Sequence, residues 1–222
     1  MNPHSEIRPG VASEKEHPRA HLIRNPRSQL WLTAVHEAGH AVVCLATGGT
    51  FRHATLRKSY LGMSRGHVDM LRCPSPQLNA VVSAAGYAAE RMADTPGIKA
   101  QDTAMRKAPK GTLVLHRAYS TAKRDLDYVS EVAEQHDLDV GRVLASANAA
   151  VHVLYPLIEV AAVALMEPKP LRALSDLDVV MALSMRPGPW LMAAERLLEE
   201  QEVYGNVDGW LVRYVKDHLG VA

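Results

Sequence analysis

The strongest constraint on the fold is the string H-E-x-x-H at residues 36–40, which lies within a helical pattern of apolar side chains. Apolar residues recur every three or four positions between residues 29 and 46, and this spacing predicts an amphipathic helix. Ser28 is the predicted N-cap, and the pair Gly48-Gly49 is the predicted stop. Histidines four residues apart lie one above the other on a helix. The fold must therefore accommodate two imidazoles on one face of this helix.

This pair of histidines has the spacing of a metal site. Two imidazoles at that separation can bind one Zn²⁺ at about 2.0–2.1 Å each. Glu37 lies about 100° further round the helix, where it can accept a proton from a zinc-bound water without being a ligand. Ala38 and Gly39 are small, so another element is expected to pack closely here. The simpler alternative is a pair of surface histidines on an ordinary amphipathic helix.

A catalytic zinc ion normally has three protein ligands and one position left for water. The candidates for the third ligand are His53, His67, Glu90, Asp94, His116, Asp125, Asp127, Glu131 and His136. On the helix predicted at residues 120–135, Asp125 shares the apolar side with Tyr128, whereas Asp127 lies on the polar side. A buried carboxylate needs a partner, which could be a metal ion or an arginine such as Arg65.

Glu90 competes with Asp125 for that role. It begins an E-x-x-x-D pattern with Asp94, in which a helical glutamate can complete a zinc site, although the pair could equally be two ordinary carboxylates at a helix end. Cys44 lies roughly 12 Å along the helix axis from His36, too far to share its metal. We interpret Cys44 as a small buried hydrophobic residue.

The rest of the chain is mostly helical in pattern. Residues 1–27 show no apolar period and are predicted to be a flexible arm, and residues 94–119 are predicted to be a basic, solvated loop. Two short strands are predicted at residues 53–57 and 67–71. Further helices are predicted at residues 74–92, 120–135, 140–166, 175–183, 190–203 and 207–219. This pattern predicts an α+β, predominantly α-helical fold with a small β-sheet beside the H-E-x-x-H helix.

Composition narrows the functional classes. With 25 basic and 24 acidic residues the formal charge is +1, which gives no general attraction to nucleic acid or to an anionic membrane. The apolar stretch at residues 147–166 contains Pro156 and Glu159, so it is predicted to be a buried helix and not a membrane span. The low net charge predicts no nucleic-acid partner. Two cysteines and the lack of an N-terminal apolar segment predict a cytoplasmic protein.

Four segments carry a resemblance to a known family. Residues 33–43 (T-A-V-H-E-A-G-H-A-V-V) closely resemble the zinc-helix signature of the peptidase domain of FtsH-type ATP-dependent metalloproteases. Three later segments are similar to that family in the same order: A-G-Y-A-A-E at residues 85–90, S-T-A-K-R-D-L at residues 120–126, and A-L-M-E-P-K-P-L at residues 164–171. The resemblance implies a zincin-like helical peptidase domain.

The resemblance also assigns residues. It implies that Asp125 is the third zinc ligand beside His36 and His40, in preference to Glu90. It further implies that the strand at residues 67–71 is an edge strand holding extended substrate, with Gly66, His67 and Val68 as its substrate-binding residues. The expected organisation is an arm at residues 1–27, a peptidase domain at 28–184 and a C-terminal helical extension at 185–222.

The chain departs from that family in more than one respect. The family's Gly-Gly-Arg pattern is altered, with Ala85 and Tyr87 at two of its positions, and the loop at residues 94–119 is longer than usual. No G-x-x-x-x-G-K-[ST] phosphate loop occurs, and the 222 residues leave no room for the family's ATPase module and membrane spans. We therefore expect a stand-alone zinc metalloendopeptidase that cuts flexible or unfolded segments, with a separate ATPase partner and homo-oligomerisation left open. The alternatives are a catalytically silent, zinc-stabilised regulatory or interaction module and a peptidase that cuts one regulator at one site.

Overall fold

The computed structural model describes residues 29–58, 64–94, 117–167, 173–204 and 207–219. Within these ranges the fold is α+β and predominantly α-helical, with one small antiparallel sheet, as the sequence predicts. In chain order the elements are α1 (Gln29–Ala46), β1 (Thr50–Lys58), β2 (Ser64–Arg72), α2 (Pro76–Ala93), α3 (Arg117–Gln135), α4 (Val140–Met166), β3 (Ala173–Leu174), α5 (Asp176–Ser184), α6 (Pro187–Tyr204) and α7 (Gly209–Leu219). The predicted arm, the side chain of Arg65 and residues 95–116 lie outside the described residues.

Helix α1 is the centre of the fold and has the predicted bounds. It packs against α2, α4, β1 and β2, so nearly all its sides are buried, more than the predicted amphipathic stripe alone requires. A Cβ placed on Gly39 would lie 2.8 Å from the Cβ of Ala89 and 2.9 Å from the carbonyl oxygen of Ala85. The small residues of α1 and α2 therefore allow the close packing that the sequence predicts. After the helix, Gly48 has a φ of +78°, a conformation that favours glycine.

The sheet lies beside α1, with strand order β2-β1-β3 and antiparallel pairing throughout. Ala54 of β1 faces Val68 of β2 on one side and Leu174 of β3 on the other. Both predicted strands are present and longer than predicted. Strand β3 was missed because two residues after a proline-rich stretch show no alternating pattern. Among the described residues, the outer edge of β2 pairs with no other strand.

Helix α4 also has its predicted bounds, with Asp139 as N-cap accepting hydrogen bonds from the amides of Gly141 and Arg142. It is long and apolar enough to cross a bilayer, but 72% of its most apolar window is buried inside the protein. A mostly buried helix of this kind is weak evidence for a membrane span. Here α4 packs against α1, α2 and α6 in the core.

The remaining helix boundaries differ slightly from prediction. Helix α3 begins at Arg117, so the loop predicted up to residue 119 is wrong for its last three positions. Helix α6 begins at Pro187, where the sequence predicts a break, because proline is tolerated in the first turn of a helix. Trp190 of α6 donates a hydrogen bond to the carbonyl of Leu183 at 3.1 Å, which joins α6 to α5. The division of the chain at residues 184 and 185 stays a prediction.

Candidate metal centre

Three potential ligand atoms converge between α1 and α3. The Nε2 atoms of His36 and His40 are 3.2 Å apart. Oδ2 of Asp125 lies 3.0 Å from Nε2 of His36 and 3.5 Å from Nε2 of His40. All three atoms fall within 4.8 Å of one another. Both histidines are 7% exposed, so this buried His-His-Asp group could hold a metal ion.

The outer nitrogen of each imidazole is also held. Nδ1 of His40 donates a hydrogen bond to the carbonyl oxygen of Val82 at 2.8 Å, and Nδ1 of His36 lies 3.2 Å from Oε2 of Glu90. Partners of this kind orient a metal-binding imidazole so that Nε2 faces the metal. Glu90, the competing third ligand, is 2% exposed and faces the other side of the His36 ring. It lies outside the converging group and is placed to orient His36.

The position of Gly86 on α2 determines whether there is space for a metal ion beside the two histidines. A Cβ built on Gly86 would collide with Nε2 of His40 and lie 2.8 Å from Nε2 of His36. That point lies next to both nitrogens, in the region where an ion with bonds of about 2.0–2.1 Å to each would sit. The glycine therefore leaves open the space that the donor set requires. The sequence analysis did not identify Gly86, and the available signal was a glycine inside a helix, where it costs about 1 kcal/mol relative to alanine.

The carboxylates and imidazoles of this site shift one another's pKa values. Burial lowers the pKa of His36, but its hydrogen bonds with Asp125 and Glu90 and the charge of Glu37 outweigh this and raise the pKa to about 10. Burial raises the pKa of Asp125, but the hydrogen bonds with His36 and His40 outweigh it and hold the pKa well below its usual range. Without a metal, the two carboxylates therefore favour the protonated form of His36. A metal ion must displace that proton to bind.

Glu37 lies at the edge of the same group, 6% exposed. Burial raises its pKa, and the charges of His36 and His40 oppose that shift only in part. A Cβ on Gly66 of β2 would collide with the carboxylate of Glu37, so the strand can approach Glu37 only because this position is glycine. The geometry leaves a carboxylate with increased proton affinity between the imidazoles and the edge strand.

A cavity of about 490 Å³ opens over these groups. Its walls come from α1, β2, α2 and α3, and Gly66, His67 and Val68 all line it. His67 is exposed and Val68 is buried. The residues that the resemblance implies for substrate binding therefore lie on the wall facing the donor group, and their role stays a prediction.

The other candidates for the third ligand lie elsewhere. His53, His67, Asp94, Asp127, Glu131 and His136 do not belong to the converging group, and His116 lies outside the described residues. Asp127 is exposed, as predicted. Cys44 is fully buried, and burial raises the pKa of its thiol to about 12, which agrees with its interpretation as a hydrophobic residue.

Comparison with known proteins adds no family assignment. No protein-family model matches this chain, and no curated protein is similar enough to count as a match. The resemblance to the FtsH-type peptidase domain therefore rests on the four sequence segments, and the chemistry of the site has to be argued from its own residues.

Proposed function

We propose that this chain is a zinc metalloendopeptidase that hydrolyses peptide bonds in flexible or unfolded protein segments. One observation carries the proposal: the ligand atoms of His36, His40 and Asp125 converge beside the buried carboxylate of Glu37. Two imidazoles and one carboxylate are a donor set that suits a catalytic zinc ion. When bound, zinc would supply Lewis acidity, which lowers the pKa of water and polarises a peptide carbonyl.

Glu37 performs the proton transfers in this mechanism. It accepts the proton of the attacking water and then passes it to the leaving amine. Its pKa is raised by burial, which makes it a stronger base than an exposed glutamate. Glu90 and the carbonyl of Val82 fix the orientations of the two imidazole rings, so that water would attack the peptide carbonyl in a fixed geometry.

The edge of β2 supports the choice of substrate. An extended peptide can add to a free sheet edge through main-chain hydrogen bonds, whatever its sequence. Gly66 brings that edge against Glu37, and Val68 and Met70 line the same cavity. Residues inside a rigid fold cannot extend along that edge, so the expected substrates are flexible or unfolded segments. A separate ATPase that unfolds proteins would widen this range.

Glu37→Gln tests the proposal. Wild-type protein is expected to bind about one zinc per chain and to digest casein, with loss of activity on chelation. The variant should keep the zinc and lose cleavage, since an amide cannot accept the proton. Glu134→Gln, an exposed change on α3, is the matched control and should keep full activity.

Each remaining outcome has a defined meaning. Cleavage at the wild-type rate by Glu37→Gln shows that this role for Glu37 is wrong. Zinc bound by wild type without any cleavage favours the silent regulatory module. A single cut in one partner protein, without general digestion of casein, favours a site-specific peptidase.

A further inference from the structure

We propose that Tyr128 is a further catalytic residue of this site, whose hydroxyl donates a hydrogen bond to the carbonyl oxygen of the scissile peptide as negative charge develops there. The inference rests on the proposed peptidase function. It assigns a role on the wall opposite β2, where the sequence analysis used Tyr128 only as a marker of the apolar side of α3.

Tyr128 lines the same cavity as the donor group. It follows Asp125 by three residues on α3, so the two side chains share one face of the helix. Both line the cavity that contains His36, Glu37 and His40. Tyr128 is 39% exposed, which means that its side chain is accessible to a bound substrate.

A neighbouring helix holds the hydroxyl in place. Nδ2 of Asn79 on α2 donates a hydrogen bond to the Tyr128 hydroxyl oxygen at 2.8 Å. The backbone N–H of Asn79 donates a hydrogen bond to the carbonyl oxygen of Ser75 at 2.9 Å, so the residue belongs to the capped first turn of α2. Because the Tyr128 oxygen acts as the acceptor in this contact, its own proton remains available to a second partner.

A held donor of this kind is what charge development requires. A hydrogen-bond donor stabilises a transition state most when it is oriented before the reaction and need not reorganise during it. Arg124 and Tyr128 both line the cavity and both are exposed, so the hydrogen bond with Asn79 is what distinguishes Tyr128. Tyr128, tied to α2 by Asn79, is the better oriented donor on this wall.

The test is Tyr128→Phe in the full-length chain, which keeps the ring and removes only the hydroxyl. Loss of one oxyanion donor typically lowers kcat by about 10²–10³-fold. We expect kcat to fall by roughly 10²-fold, with little change in KM, zinc content or Tm. Tyr87→Phe is the matched control, since Tyr87 does not line the cavity. Cζ of Arg91 lies 5.5 Å from the centroid of its ring. The kinetics of this variant should match those of the wild type.

A binding measurement gives a second readout that needs no turnover. In the Glu37→Gln background, calorimetry compares a peptide phosphonate, whose tetrahedral anion mimics the transition state, with the corresponding peptide amide. Adding Tyr128→Phe should weaken phosphonate binding by roughly 10²-fold, in parallel with the expected fall in kcat, and leave amide binding unchanged. A merely structural role would weaken neither ligand or both equally.

The outcomes separate this inference from the function on which it rests. Wild-type turnover by Tyr128→Phe, or a raised KM with unchanged kcat, overturns the role of Tyr128 and leaves the peptidase proposal standing. Zinc-loaded wild type that cleaves nothing overturns the peptidase proposal, and this inference with it.

Discussion

Two cavities lined by described residues each place a histidine beside a carboxylate, and they differ in how many donors converge. The cavity of about 490 Å³ places two imidazoles and Asp125 around one point. The larger cavity, of about 700 Å³, lies between α4 and α6, where Nδ1 of His152 is 2.7 Å from Oε1 of Glu200. Among the described residues no third potential ligand joins that pair. Convergence of donors, and not cavity size, identifies the candidate site.

Packing explains the difference. Around His36 the glycines of α1 and α2 allow two helices to approach closely and leave room for an ion. Around His152 the side chain is 38% exposed, and Nδ1 is not aligned for a hydrogen bond despite its short distance to Glu200. The first pair belongs to a buried, oriented network, whereas the second is a close histidine–glutamate contact near the surface.

The largest expected effect comes from Gly86→Ala, which would remove the space that distinguishes the first cavity. The added methyl group would collide with both imidazoles, so we expect no zinc to be retained after dialysis, although alanine favours the helix. Metal content and circular dichroism measure the two effects separately. The matched control is Gly188→Ala, where a Cβ would meet nothing within 4 Å. Wild-type zinc affinity in Gly86→Ala would show that the ion binds elsewhere.

A smaller effect is expected when the glutamate beside His36 or the glutamate beside His152 is changed to glutamine. Glu90→Gln removes the carboxylate that orients His36, and loss of such a partner typically lowers metal affinity by about 10–100-fold. Glu200→Gln alters the other pair and should leave zinc affinity unchanged. Competition with a chromophoric chelator measures both. Equal losses in the two variants would mean that the effect is global destabilisation.

A further test of the buried network is the pH dependence of the metal-free protein. The pKa of His36 is raised from 6.5 to about 10 in the folded state, so its stabilising contribution is complete below pH 6.5 and is lost as the pH rises through about 10. One proton changes the free energy of unfolding by at most about 1.4 kcal/mol per pH unit. Urea denaturation between pH 6 and 10 should show this decline. Saturating zinc should abolish it, because the metal replaces the proton; an unchanged slope with zinc would place the titrating group outside the site.

Much of the fold was predictable because its signals are local. The bounds of α1 follow from apolar periodicity with a glycine pair after its end, and the end of α4 follows from the prolines at positions 168 and 170; both helices are confirmed. Strand β3 was not predictable, since its two residues form a strand only by pairing with Ala54 and Thr55 of β1. The start of α6 was misplaced because proline marks a break and a first helical turn equally well.

The site divides in the same way. The placement of His36, Glu37 and His40 on adjoining faces follows from the sequence alone, because the geometry of one helix depends only on spacing along the chain. Spacing could not decide between Glu90 and Asp125, which lie 54 and 89 residues from His36. The packing of α2 and α3 on α1 gives the two carboxylates different positions: Glu90 faces the outer nitrogen of His36, and Asp125 faces the inner nitrogens of both histidines. The role of Gly86 also depends on this packing. Its missing side chain leaves room for an ion only because α2 lies against the two histidines of α1.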